Sequence, residues 1–172
     1  CSNVGANTVT LTVTDVNGNT DDCNATVTVE DNINPTAVCQ DITVNLFGFG
    51  TATITAAQVD GGSTDNCTIA SLTVDPNSFD CSDVGPNTVT LTVTDVNGNS
   101  STCTATATVQ DPLTPIAICQ DVTVELSVLG DASVLATTID AGSTDNCGID
   151  TLLLTPADFS CLNIGPNTVS LT

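Results

Sequence analysis

Between Thr88 and Thr94 hydroxyl and apolar side chains alternate without a break, Thr-Val-Thr-Leu-Thr-Val-Thr. A period of two sets the valines and the leucine on one face and the threonines on the other, the pattern of a half-buried strand. Asp95-Val96-Asn97-Gly98-Asn99 follows, and its Asn-Gly pair predicts a tight hairpin. The return strand runs from Cys103 to Val109, again alternating, with Cys103 on the inward parity. Ile42/Val44/Leu46, Ala52/Ile54/Ala56 and Ala70/Leu72/Val74 repeat the pattern. Turn residues separate these runs at Gly48–Gly50, Asp60–Asn66, Asp75-Pro76-Asn77 and Gly85-Pro86-Asn87. No segment holds a helical period. The reading is all-β: roughly six or seven short strands per unit predict an antiparallel β-sandwich of immunoglobulin-like type.

The pattern also recurs at long range. Cys1, Cys81 and Cys161 are evenly spaced, and the same interval relates Cys23 to Cys103, Cys39 to Cys119 and Cys67 to Cys147. Residues 1–30 and 81–110 are identical at 22 of 30 positions, which predicts tandem domains with an 80-residue period. On this reading 1–30 are the closing strands of a preceding repeat, 31–111 a complete repeat and 112–172 an incomplete following one. Because 161–172 match 1–12, the sequence is read as a window on a longer array. Strand addition between subunits, with 1–30 completing 112–172 of a neighbour, is the competing arrangement. The duplicated segment weighs against it, since both copies would compete for one position.

Composition narrows the function. The chain has 20 acidic residues and no Lys, Arg or His, a formal net charge of −20. No salt bridge between side chains can form, so each carboxylate must face water, accept hydrogen bonds or sit beside a cation. Nucleic acid is excluded as a partner because phosphate binding needs basic side chains, and so are anionic membrane surfaces. No apolar run is long enough to span a bilayer, so no membrane insertion is expected. Without His, neither a Ser-His-Asp nor a Cys-His centre can be built. Paired carboxylates could hydrolyse glycosides, but here they lie in short repeated turns without an aromatic platform. The chain is read as non-enzymatic.

Each full repeat carries four cysteines, which allow three pairings. A repeat of this length with few aromatics has a small core and needs staples. Bridges imply an oxidising, extracellular setting. Zinc is disfavoured, since no CxxC occurs and His is absent.

CQDITV (39–44), CQDVTV (119–124), the DNC triplets (65–67 and 145–147) and VTLTVTDVNGNSSTC (89–103) resemble the hyalin repeat, and more closely its four-cysteine relatives from secreted bacterial surface proteins. The resemblance covers the whole chain. It implies an immunoglobulin-like fold, extracellular placement, a role in adhesion or as a spacer, and no catalytic residues. It also implies the bridge Cys39–Cys103 and favours Cys67–Cys81 and Cys147–Cys161. Cys1, Cys23 and Cys119 would then find partners outside these residues or in a neighbouring chain. The absence of every basic residue departs from typical members of that family.

Hard oxygen ligands cluster in three recurring places: the joint Glu30-Asp31-Asn32, the loop from Asp60 to Asp65-Asn66, and the hairpin Asp95/Asn97/Asn99. In an immunoglobulin-like topology the entering linker and these loops share one end, which would suit Ca²⁺ as a cofactor. The joint also resembles the calcium-stiffened linkers of cadherin-type repeats. The counterparts are Asp111, Asp140 and Asp145, the second joint having lost one carboxylate. Ordinary turn formation explains the same residues without an ion. Glycan acceptors are suggested at Asn24, Asn66, Asn99 and Thr151. Phe79 and Phe159 read as core plugs, and a local packing role is expected for Phe47. The expected partners are neighbouring repeats and glycans. The function so read is a structural, adhesive extracellular filament or stalk; the rival is a passive spacer in a larger adhesin or exoenzyme.

Overall fold

The computed structural model describes residues 1–172. The chain is all-β with a few short helical turns. Its residues form two compact units: Cys1–Thr43, Thr53–Ser78 and Pro86–Thr108 in the first, and Val44–Ala52, Phe79–Gly85 and Val109–Thr172 in the second.

In the first unit, β1 (Gly5–Thr14) and β2 (Thr20–Val29) form an antiparallel hairpin with an unbroken ladder from Gly5↔Val29 to Thr14↔Thr20. The four-stranded sheet has the order β3 (Ile42–Asn45), β8 (Ser100–Gln110), β7 (Gly85–Asp95), β5 (Ile69–Asp75). The period of two decides what it buries. Val89, Leu91 and Val93 of β7 and Ala105 and Ala107 of β8 are buried, while the intervening threonines remain at least partly exposed. The β7–β8 turn closes with Asp95 N–H donating to Asn99 O at 3.0 Å, and Gly98 supplies the left-handed backbone (φ +94°) that the turn needs. The β1–β2 turn repeats this with Asp15 N–H to Asn19 O at 2.8 Å.

Three local expectations are corrected. The strand read through Ala52/Ile54/Ala56 stops at β4 (Thr51–Thr53), and Ala56–Val59 form a helical turn, α1. There Gln58 Oε1 accepts the Thr55 N–H at 2.8 Å, half of a capping box, which halts the strand. In β5 a register shift between Ile69 and Ser71 turns Ala70 outward, so only Leu72 and Val74 keep the inward parity. Gly85-Pro86-Asn87 opens β7 instead of forming the turn; the reversal belongs to a 3-10 turn at Cys81–Asp83, capped by the Asp80 carboxylate, which accepts from Ser82 N–H at 2.8 Å. Phe79 is buried and Phe159 half-buried, whereas Phe47 and Phe49 are exposed.

The second unit holds the shorter elements β9 (Asp131–Ser133), α2 (Ala136–Ile139), β10 (Leu154–Thr155), β11 (Asp158–Ser160) and β12 (Ser170–Leu171). β11 pairs with β9 and β10 with β12. Its core is Val134, Ile139 and Leu154, with Phe159 and Val169 packed against them.

The bridges differ from the expected pairing in two of three cases. Cys39–Cys103 is present with Cα atoms 5.8 Å apart. Cys67 pairs with Cys1 (Cα atoms 5.2 Å apart) and not with Cys81, and Cys147 pairs with Cys81 (5.3 Å) and not with Cys161, Cα separations ordinary for disulfides. Cys1 therefore has its partner inside the chain, while Cys23, Cys119 and Cys161 carry exposed free thiols. The reason lies in the strands between the cysteines. β5, which follows Cys67, joins the four-stranded sheet, and β6 (Ser78–Asp80), which precedes Cys81, pairs with β4, so the two cysteines leave in different directions.

Gly50 makes the Cys81 bridge possible. It has φ +73°, and a Cβ there would collide with Cys81 Sγ and lie 2.6 Å from Asn146 O. Gly50→Ala is expected to cost about 2–3 kcal/mol, combining left-handed strain with the collision. It should also hinder closure of the Cys81–Cys147 bridge during oxidative refolding, so that thiol titration of the refolded chain counts more than the three free cysteines. Gly62→Ala, at φ +101° with nothing within 4 Å, should cost about 1 kcal/mol and expose no new thiol.

Candidate metal centre

The first unit draws three carboxylates together from distant stretches of sequence. Asp31 lies in the linker after β2, Asp65 in the loop before β5, and Asp95 at the end of β7. One oxygen of each lies within 4.8 Å of the others. Ca²⁺ holds oxygens at about 2.3–2.6 Å, so ligands on opposite sides of one ion stand roughly 4.6–5.2 Å apart. The spacing therefore suits three ligands of a single ion. No cationic side chain exists anywhere in the sequence to neutralise this cluster.

Each carboxylate is held by neighbours the sequence supplies locally. Asp95 is 2 % exposed; its Oδ1 accepts from the backbone N–H of Asn97 (2.9 Å) and Asn99 (2.7 Å), and its Oδ2 from Asn99 Nδ2 (2.8 Å). Burial pushes this carboxyl up, but the bonds from the Asn99 side chain and from the Asn99 and Asn97 backbone outweigh it and hold it below the usual carboxylate range. Asp31 accepts from Asn97 Nδ2 at 2.8 Å and Asn66 Nδ2 at 3.2 Å, and its carbonyl from Asn99 Nδ2 at 3.0 Å. Asp65 Oδ2 accepts from Cys67 N–H (2.7 Å) and Thr68 N–H (3.0 Å), yet its Oδ1 is shielded from solvent without a hydrogen-bond donor. A shielded anionic oxygen beside two more carboxylates is what a cation would relieve. The amides of Asn66 and Asn97 also carry carbonyl oxygens that a half-turn would present as ligands.

The other sequence candidates lie elsewhere. Glu30 accepts from Asn32 Nδ2 at 3.4 Å, and neither belongs to the cluster of three. Asp60 and Asp140 close local turns, their Oδ1 accepting from Ser63 N–H at 2.8 Å and Ser143 N–H at 2.9 Å. In the second unit Asp111 accepts from Asn146 Nδ2 at 3.1 Å, matching the Asp31–Asn66 contact, and Asp145 accepts from Cys147 N–H at 2.8 Å. Asn146 Oδ1 is shielded and unpartnered there, as Asp65 Oδ1 is in the first unit. Cys1 and Cys67 also approach Asp31, but both sulfurs are committed to their bridge and cannot act as thiolate ligands. That bridge, which the sequence reading missed, anchors Asn66 and Asp65 through the adjoining Cys67.

Of the glycan candidates, Asn24 accepts from Thr10 Oγ1 at 2.7 Å and is exposed, as is Thr151. Asn99 is a poor acceptor, since its amide nitrogen already donates to Asp31 O and Asp95 Oδ2. Asn66 likewise donates to Asp31.

Asp15, Asp60, Asp95 and Asp140 all sit below the usual carboxylate range. Carboxyls lowered in the fold contribute stability that is complete above the unfolded value of about 3.9 and lost as pH falls through the lower folded values. Urea midpoints are expected to fall between about pH 4 and pH 2 for this reason. Asp60→Asn and Asp140→Asn should flatten that fall, and an unchanged pH profile in both would reject it.

No helix is long and apolar enough to cross a membrane. Neither a scan against protein-family models nor a search of curated proteins finds a match to this chain.

Proposed function

We propose that this chain is part of an extracellular structural array: immunoglobulin-like sandwich repeats, joined head to tail, with Ca²⁺ at the joints. Its role is mechanical reach and adhesion rather than catalysis. The observation that carries the reading is the matched pair of bridges Cys1–Cys67 and Cys81–Cys147. Both have a sequence separation of 66, and they are offset from one another by the interval at which the sequence itself recurs. Each ties the segment that opens a closing hairpin in one repeat to the Asp-Asn-Cys loop of the next. On the repeat bounds 1–30, 31–111 and 112–172 such a bridge would span a joint, while both of its cysteines lie within one compact unit.

The acidic cluster lies at the first of these joints, so covalent and ionic clamps would act at one place. Three bridges in so small a chain are consistent with an oxidising compartment outside the cell. The resemblance of the CQD, DNC and VTDVNGN motifs to hyalin-type repeats supports the same placement.

Antibodies raised against this chain should label filaments outside the producing cells at regular intervals under electron microscopy. Label confined to the cytoplasm would overturn the proposal. For the ion, excess Ca²⁺ should raise the melting temperature of the chain above its value in a chelator. Identical melting in the two would remove calcium from the reading.

A further inference from the structure

Asparagine precedes glycine only at Asn17-Gly18 and Asn97-Gly98, each at the tip of a hairpin; elsewhere the residue that follows asparagine carries a Cβ. The dipeptide has a chemistry of its own. With no Cβ to hinder the approach, the glycine nitrogen can attack the Cγ of the asparagine before it. The new N–Cγ bond closes a succinimide ring, the Cγ–Nδ2 bond breaks, and Nδ2 leaves as ammonia with the proton from the glycine nitrogen. Water then opens the ring at either carbonyl, giving aspartate or its β-linked isomer. Water is the only co-reactant.

The turn after β7 is open to this reaction. Asn97 and Gly98 are both exposed, and a Cβ built on Gly98 would meet nothing within 4 Å, so the ring has room to close. The Gly98 N–H donates only to Asp95 O at 3.4 Å, a length at which such a bond is weak. Asn97 N–H donates to Asp95 Oδ1 at 2.9 Å, which keeps the main chain in place while the side chain turns. The restraint lies on the leaving nitrogen: Asn97 Nδ2 donates to Asp31 Oδ2 at 2.8 Å, a bond strengthened by the carboxylate charge.

We infer that Asn97 is a site of spontaneous deamidation gated by Asp31, and that its product sets a further carboxylate against Asp31, Asp65 and Asp95. The Asp31 bond holds the carboxamide away from the glycine nitrogen and must open before Cγ can be reached. Once the reaction is complete, repulsion between like charges replaces that hydrogen bond. Deamidation thus makes the cluster more dependent on a cation than the encoded sequence is. The reaction itself needs nothing from the proposed array; only the meaning of added charge at a calcium joint rests on that reading.

The test holds the intact oxidised chain in mildly alkaline buffer without calcium, samples it over time, and digests each sample with pepsin in acid, where deamidation is slow. Mass spectrometry reads amide-to-acid conversion separately at Asn97 and Asn17. Asn17 is the internal reference. Its turn has the same main-chain frame, with Asn17 N–H on Asp15 Oδ1 at 2.8 Å and Gly18 N–H on Asp15 O at 3.1 Å, and no counterpart of Asp31 within these residues. Asn97 is expected to convert roughly three- to tenfold more slowly than Asn17, the effect of one charge-assisted bond at a surface. Asp31→Ala should bring Asn97 to the rate of Asn17 and leave Asn17 as it was. Asn97 still intact once Asn17 is exhausted would overturn the site. Equal rates in the parent chain would overturn the gate, as would an Asp31→Ala variant in which Asn97 is unchanged or accelerates together with Asn17. Asn97→Asp, which stands for the product, should melt below the parent in chelator and close the gap in excess Ca²⁺. No gap in chelator would overturn the repulsion, and a gap that persists in Ca²⁺ would count against calcium at the joint; neither touches the conversion read by mass.

Discussion

Replacing Cys39 and Cys103 together with serine is expected to lower the melting temperature of the first unit by roughly 16–30 °C. The bridge closes a loop across a sequence separation of 64, and on the chain-entropy model such a loop restrains the unfolded chain by about 4 kcal/mol. For a domain of this size each kcal/mol moves the midpoint by roughly 4–8 °C. The loss is large because the core offers little to offset it. No Trp, Tyr or Met is present, and alanines 105 and 107 fill positions where larger side chains would bury more area. Calorimetry of the oxidised protein and the double variant decides the matter, and a drop smaller than about 5 °C would show that packing alone sustains the sheet.

If the centre holds Ca²⁺ as proposed, Asp95→Asn is expected to weaken its binding on the order of 10–100-fold, since it removes the most buried charge among the three carboxylates and disturbs the hydrogen bonds that orient them. The control is built into the sequence. Asp15 occupies the same turn in the β1–β2 hairpin, accepting from Asn17 N–H, Asn19 N–H and Asn19 Nδ2, each at 2.8 Å. It belongs to no cluster, so Asp15→Asn should leave the affinity unchanged. Calorimetric titration of both variants separates a loss of ligand from a loss of turn geometry. Equal weakening in the two, or none in Asp95→Asn, would dismiss the centre.

How much of this was legible in advance depended on the range of the interaction. Alternation in 88–94 and 103–109 reported directly on burial, because a strand's faces follow from its own sequence. The gathering of Asp31, Asp65 and Asp95 followed from reasoning that linker and loops share one end of such a domain. The fates of Asp60 and Asp140 did not, since serine three residues on offers each a nearer partner than any ion. Bridge pairing was the least accessible. Four cysteines recurring with every copy of the motif are equally compatible with bonds inside a repeat and between repeats, and only the divergence of β5 and β6 into different sheets distinguishes them.

The two long bridges also determine how the chain answers a pull. Tension entering at Cys1 passes through sulfur to Cys67, along fourteen peptide steps to Cys81, and through sulfur again to Cys147. At about 3.4 Å per residue that path straightens to roughly 60 Å, against roughly 500 Å for the unbridged backbone between the same ends. Residues 2–66 and 82–146 lie outside that covalent path as closed loops. A pull between these ends would therefore meet covalent bonds after a short extension, drawn from β5 and β6, which lie on the path.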